Sequence, residues 1–285
     1  MNKTILILIS IFITSCTSND KEIITSDQSL YEDNILEDYE LYRKANNFIA
    51  SDQLDLALIE LDKIEVLFPS SKYANKGMLV TAYIHFLKKD FEKTRAISES
   101  YKKYYPGSKD VVYASYLEAM TYYVLIKKSN YSQENAIQAL NKFNFILNAY
   151  PNSKYEIDII TKIQIINNNI ALSKLSIAKF YLKKKNLNGA LIYLKDILIN
   201  YKTSLSIEET LYLLVMIYDL IDEKELAKNY AAILAYNFPD SEWYQKSYNI
   251  IYDEQAIDKK WFKKYNPIKI FLSNQEEEFE IQRID

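Results

Sequence analysis

The stretch "LFPSSKYA" (67–74) recurs in altered form as "YYPGSKDV" (104–111), "AYPNSKYE" (149–156), "NYKTSLSI" (200–207) and "NFPDSEWY" (237–244). Its proline stands at Pro69, Pro106, Pro151 and Pro239, with Lys202 in the fourth copy, at spacings of 37, 45, 51 and 37 residues. Proline cannot continue a helix, so each phrase ends one helical segment. The serine two residues later (Ser71, Ser108, Ser153, Ser204, Ser241) is placed to cap the next. Self-similarity at this period marks a repeat architecture, in which each unit buries its apolar face only by stacking on its neighbours.

Working back from the phrase gives a second regularity. Ala57, Ala139, Ala190 and Ala227 lie twelve residues before the proline position, and Ala45 and Ala178 another twelve upstream. Small residues at these places let paired antiparallel helices approach closely. The pattern resembles the tetratricopeptide repeat (TPR), a helix–turn–helix unit with small residues at both places. Ala82 and Thr94 fill them in the second unit, and Ala119 the first in the third, which carries an insertion near "IKKSNYSQ" (126–133). Val215 fills the first in the fifth. The expected fold is all-α: a right-handed superhelical solenoid of about five TPR-like repeats with a C-terminal capping helix. The stretch from Tyr155 to Lys185 reads as one or two extended helices. The amphipathic stretch from Trp243 to Tyr265 supplies the cap, followed by an exposed acidic tail containing "NQEEEFE".

Composition narrows the chemistry. The 285-residue chain is 49% apolar and 26% charged, with a net charge of −3, so it carries no strong field drawing it to nucleic acid or anionic lipid. With glycine only at 77, 107 and 189, the glycine-rich phosphate loops cannot be written. One histidine, His85, cannot furnish a two-histidine zinc site, and no Gly-x-Ser-x-Gly elbow exists for a triad. Among 38 acidic residues no catalytic pair stands out from solvated helix faces. Neither an enzyme nor a cofactor or metal is expected. His85, on the first helix of unit two, reads as a core imidazole.

The amino terminus reads as an export signal. Lys3, an apolar run from Ile5 to Ile13 and the small Thr14 and Ser15 form the charged, apolar and small-residue regions of a secretory signal. The run is too short to span a membrane, which takes about 20 apolar residues. Ile13-Thr14-Ser15-Cys16 resembles the lipobox of bacterial lipoproteins, which implies lipidation of Cys16. The segments expected are therefore a signal peptide (1–15), a lipid-anchored flexible tether (16–36), repeats one to three (37–154), repeats four and five (155–244) and the capping helix with tail (245–285).

TPR arrays share a concave surface lined by the first helix of each unit. Of the twelve positions read there for units one to three, seven are aromatic: Tyr39, Tyr42, Tyr83, Phe86, Tyr113, Tyr116 and Tyr123. Tyrosine suits an interface because its ring buries area while its hydroxyl stays wet. A peptide groove is one reading; rings that only close a tight superhelix are the other.

Anchor, tether, five units with an enlarged third and a long helix before the fourth together resemble the BamD family, lipoproteins of the outer-membrane β-barrel assembly (BAM) machinery. The resemblance runs through "FPSSKYANKGMLVTAYIHFLKKDFEKT" (68–94), "PGSKDVVYASYLEAMTYY" (106–123), "IAKFYLKKKNLNGALIYLKDILINYKTS" (177–204) and "AAILAYNFPDSEWY" (231–244). It implies a scaffold on the periplasmic face of the outer membrane. The implied partners are a BamA-like barrel protein, unfolded outer-membrane proteins and other BAM lipoproteins. On this reading the aromatic groove holds substrate, and units four and five dock BamA around Tyr201, Phe238, Trp243 and Tyr244. Another envelope TPR lipoprotein adaptor, such as a pilus or secretin pilotin, shares the anchor and fold and remains the alternative.

Overall fold

The computed structural model describes residues 26–128 and 132–252, with side chains from Glu37 onward. The signal, Cys16 and the acidic tail lie outside the described residues. Eleven helices, and no strand, are found among the described residues. The first two pairs are α1 (Ser26–Ala50) with α2 (Leu54–Leu67), and α3 (Lys72–Leu87) with α4 (Phe91–Tyr104). Then follow α5 (Val111–Tyr123) with α6 (Glu134–Ala149), α7 (Glu156–Lys183) with α8 (Leu187–Asn200), and α9 (Ile207–Leu220) with α10 (Lys224–Asn237); α11 (Glu242–Tyr252) ends the series. α1 begins within the stretch assigned to the tether.

The small residues do what their spacing implies. Ala45 and Ala57, Ala82 and Thr94, Ala119 and Ala139, Ala178 and Ala190, and Val215 and Ala227 are all 0% exposed. Each helix of a pair thus presents a short side chain where the two backbones come closest.

Four of the five hairpin turns share one geometry, built without glycine. Asp52, Lys89, Lys185 and Asp222 adopt left-handed backbone (φ 57°, 62°, 62° and 67°). The next amide then donates back five residues: Gln53 N to Phe48 O at 2.8 Å, Asp90 N to His85 O at 2.9 Å, Asn186 N to Tyr181 O at 3.0 Å and Glu223 N to Tyr218 O at 2.9 Å. This closes otherwise unpaired carbonyls at each helix end. His85 therefore stands where the other three pairs carry Phe48, Tyr181 and Tyr218. It is half-buried over the turn, with Nδ1 3.6 Å from Asp90 Oδ2, instead of being a satisfied core imidazole. Burial and then Lys93 push it below its ordinary pKa, against the pull of Asp90. Gly189 serves close approach: a Cβ there would lie 2.6 Å from the Tyr181 ring.

The phrase serines cap two helices directly. Ser71 Oγ accepts from Tyr73 N at 2.9 Å and Ser241 Oγ from Trp243 N at 3.1 Å. Both hydroxyls also donate to a carboxylate 33 residues earlier, Ser71 to Asp38 and Ser241 to Glu208. Ser108, Ser153 and Ser204 instead sit one turn before helices that start at Val111, Glu156 and Ile207, so the expectation of direct capping fails there. The extra residues in those linkers move the helix start downstream of the serine.

The chain forms two compact units, up to Gly77 and from Met78. The first holds the α1–α2 pair around Ala45, Ala57, Leu61 and Ile64. In the second, each helix from α4 to α10 packs on the next, and α11 covers α9 and α10. The 28-residue α7 is one continuous helix serving two cores. Its first half (Ile159, Ile166, Ile170) joins Ala119, Ala139, Phe143 and Ile146. Its second half (Ala171, Leu175, Ala178) joins the largest core, with Leu194, Leu211, Leu214, Tyr218 and Leu234.

Candidate functional site

In the first unit, Tyr39 and Tyr42 on α1 both lean on Tyr73 at the start of α3, with ring centroids 5.6 and 5.3 Å apart. Lys72 Nζ lies 5.0 Å from the Tyr73 ring. Tyr39 stays 42% exposed.

The second unit repeats this arrangement with more chemistry attached. Tyr113 and Tyr116, one turn apart on α5, stack on Tyr155 at the N-terminus of α7, at 6.0 and 4.6 Å. Phe143 of α6 forms the floor, 6.2 Å from Tyr116 and 6.1 Å from Tyr123. The Tyr116 hydroxyl donates to Asp158 Oδ2 at 2.6 Å, and Lys162 Nζ donates to Asp158 Oδ1 at 2.5 Å. Lys162 also stands 5.4 Å from the Tyr123 ring, a cation over an aromatic face. Burial, then the Tyr155 and Tyr83 hydroxyls, push Tyr113 up to about 12. Burial, then the Asp158 acceptor, raises Tyr116 further. Burial also pushes Asp158 upward, but the Lys162 and Tyr116 hydrogen bonds outweigh it and hold the carboxyl below its usual range. The result is an aromatic surface in which the Tyr113 and Tyr116 hydroxyls stay protonated at neutral pH and the Asp158 carboxylate is paired.

Of the groove residues read from sequence, the second unit brings Tyr113, Tyr116 and Tyr123 together, with Tyr83 beside Tyr113 and 37% exposed. Phe86 turns away and packs on Phe91 across its own hairpin, 5.7 Å between centroids. Tyr73, Phe143, Tyr155, Asp158 and Lys162 escaped the sequence reading. Tyr73 and Tyr155 were legible in principle, because both follow the Ser-Lys of the recurring phrase.

The same phrase position in the last copy is Trp243, and it meets Tyr212 of α9 at 5.2 Å, with Lys246 Nζ 3.9 Å from its ring. Phe238, Trp243 and Tyr244 are half-buried against the C-terminal core, and Tyr201 packs between that core and the middle one. Lys174 Nζ lies 5.8 Å from the Tyr201 ring. The four residues read as a docking surface thus spend much of their apolar area inside the fold. The most exposed rings nearby are Tyr236, 66% exposed, and Tyr252, 71%.

A buried ionic cluster also lies outside the sequence reading. Glu118 on α5, 8% exposed, accepts from Lys102 of α4 at 2.5 Å and from Lys142 of α6 at 2.6 Å. Burial raises its pKa, but the two lysine hydrogen bonds prevail and hold it below the usual range. Arg95 adds a second tie between α4 and α5, its guanidinium 4.9 Å from the Tyr122 ring and Nη1 3.3 Å from Thr121 Oγ1. Among the described residues no cluster is fit to hold a metal ion.

The family described as YfiO, outer membrane lipoprotein, matches residues 36–234. An outer membrane protein assembly factor BamD from Rickettsia prowazekii is 31% identical over 80% of this chain and 88% of its own length. BamD proteins from Caulobacter vibrioides (28% identical, 60% of this chain, 56% of that one) and Neisseria gonorrhoeae (25%, 68% and 76%) align as well. A match over most of the repeat array, joined to a fold of stacked helix pairs, leads to one conclusion: the chain belongs to the YfiO family of outer membrane lipoproteins, which includes the outer membrane protein assembly factor BamD.

Proposed function

We propose that the chain is the lipid-anchored periplasmic scaffold of a β-barrel assembly complex, acting by binding and not by catalysis. Cys16 carries the anchor; among the described residues no helix is long and apolar enough to cross a membrane. The tyrosine surface around Tyr83, Tyr113, Tyr116 and Tyr123 receives extended segments of unfolded outer-membrane proteins. The Tyr39–Tyr42 pair of the first unit offers a second aromatic contact. The C-terminal repeats, from Tyr201 to Tyr244, dock a BamA-like barrel protein.

The observation that carries this reading is the aromatic cluster on α5 and α7 in a chain whose relatives are named assembly factors. Large rings held in place by packing give contact area at little cost in side-chain freedom. The paired Asp158 offers no isolated charge that would repel an apolar strand.

A pull-down of the tagged chain from outer membranes in mild detergent, with partners identified by mass spectrometry, tests the assignment. Stoichiometric recovery of a BamA-like protein is expected. Recovery of a secretin or pilus subunit, with no BamA-like protein, overturns it.

A further inference from the structure

Between Lys162 and Lys174 the stretch "IQIINNNIALS" (163–173) carries no charge, in a chain that is 26% charged. It forms the middle of α7, whose inner side supplies Ile159, Ile166 and Ile170 to the middle core. Residues three, four or seven apart share a helix face. Ile157, Gln164, Asn168 and Leu172 therefore line the opposite side, with Ile165 beside them. Ile157 is 83% exposed, Ile165 51% and Leu172 49%. The solvent side of a surface helix ordinarily carries charge. This one offers aliphatic groups and amides instead.

Neighbouring elements fix where this side lies. On one flank stands α5: Asp158 takes the Tyr116 hydroxyl, Lys162 faces the Tyr123 ring, and Asn169 Nδ2 donates to Lys127 O at 3.2 Å just beyond the helix. On the other flank stands the start of α9: Leu205 N donates to Asn168 Oδ1 at 3.0 Å, and Lys179 pairs with Glu209. The bond to Asn168 holds Leu205, 88% exposed, level with the stretch between Ile165 and Leu172. The aliphatic face therefore begins at the tyrosine surface. From Ile157 to Leu172 it runs about 22 Å at 1.5 Å per residue.

We propose that this face of α7 is the second half of the client surface. An extended, uncharged segment anchored at Tyr113 and Tyr116 continues along α7 and lays its apolar side chains on Ile165, Leu172 and Leu205. Extended chain covers 22 Å in about seven residues at 3.3 Å each. Strands destined for a membrane barrel alternate apolar and polar side chains, so one side of such a segment suits the aliphatic face while the other stays in water. The amides of Gln164 and Asn168 meet the segment's main-chain groups, which need hydrogen-bond partners whatever the side chains are. The inference rests on the tyrosine surface receiving unfolded segments, and adds to that reading the length and chemistry of the segment held.

The test uses the full-length chain in mild detergent and the fluorescence anisotropy of two labelled peptides. The short probe is about five residues of alternating tyrosine and threonine; the long one continues with about seven of alternating valine and threonine. The long probe should bind about tenfold tighter. Ile165→Gln with Leu172→Gln, at exposed positions where glutamine suits a helix, should reduce the long probe to the affinity of the short one and leave the short one unchanged. Ile192→Gln with Ile199→Gln, an equally exposed pair on α8 (59% and 58%), should change neither. Equal affinity of both probes for the native chain, or an equal loss in the α8 variant, overturns the proposal. So does a lower sedimentation coefficient of the probe-free Ile165→Gln, Leu172→Gln chain, because a second copy would then cover the face. Failure of the tyrosine reading looks different. Tyr116→Ala with Tyr123→Ala would then leave both probes bound, while loss of the long probe's advantage in Ile165→Gln with Leu172→Gln would still support the α7 face. Binding of neither probe to the native chain overturns both.

Discussion

The middle aromatic cluster and the C-terminal core use the same repeat device to different ends. In both, a tyrosine on the first helix of a unit meets a ring at the N-terminus of the helix that opens the next: Tyr116 on Tyr155 of α7, and Tyr212 on Trp243 of α11. Around Trp243 the packing is apolar, backed by Leu211, Leu214, Ile217 and Leu234. Around Tyr155 the rings are tied by polar bonds to Asp158 and Lys162, and one face is open beside Tyr83. An aromatic contact between repeats is therefore structural by default. It becomes a candidate binding surface where rings keep an open side, as beside Tyr83, 37% exposed, and where the Tyr116 hydroxyl is held by Asp158.

The largest effects should come from the two cores, and they should stay local, because repeat units couple mainly to their neighbours. Phe143→Ala removes the floor under Tyr116 and Tyr123 and should cost about 3–5 kcal/mol. Leu214→Ala should cost about 2–5 kcal/mol. In hydrogen exchange, Leu214→Ala is expected to speed α8–α10 and leave α5–α6 protected; uniform loss across both would contradict the separation drawn here.

Next comes the buried ion cluster. Glu118→Gln leaves Lys102 and Lys142 facing a neutral group, at a cost of about 1–3 kcal/mol, discounted for the partial exposure of both lysines. The folded carboxyl has a lowered pKa, so its contribution is full above the unfolded value near 4.5 and is lost as pH falls through the folded value. Denaturant titrations below pH 4.5 should show the native chain losing stability faster than Glu118→Gln. Parallel curves would remove Glu118 from the account.

Smaller still is Tyr116→Phe, which deletes the hydrogen bond to Asp158 and should cost about 0.5–2 kcal/mol. Stacking on Tyr155 survives the change, so this variant separates the ring from its hydroxyl. A thermal melt indistinguishable from that of the native chain would mean the bond adds nothing to the rigidity of the surface.

Much of this fold was readable because its rules are periodic. Pro69, Pro106, Pro151 and Pro239 punctuate, and Ala45, Ala57, Ala178, Ala190 and Ala227 mark close helix contacts that the structure buries completely. The turns were harder: with three glycines in the chain, nothing flagged Lys89 and Lys185 as left-handed positions. Tyr155 was read as the start of the extended helical stretch to Lys185, although it sits where Tyr73 and Trp243 also make inter-repeat contacts. Asp158 and Lys162 lie on the half of α7 that has no counterpart in the other units, so repeat alignment passes over them. Glu118 looked like part of a solvated face because its lysines come from α4 and α6, 16 and 24 residues away in sequence.

The central claim is that the aromatic surface and the C-terminal docking region are separable. The most direct measurement takes the chain with Tyr83, Tyr116 and Tyr123 changed to alanine, its helicity verified. It scores both binding of an unfolded outer-membrane-protein segment and co-purification of the BamA-like partner. Loss of segment binding by more than tenfold with partner recovery unchanged is the result predicted. Parallel loss of both, with helicity retained, would contradict it.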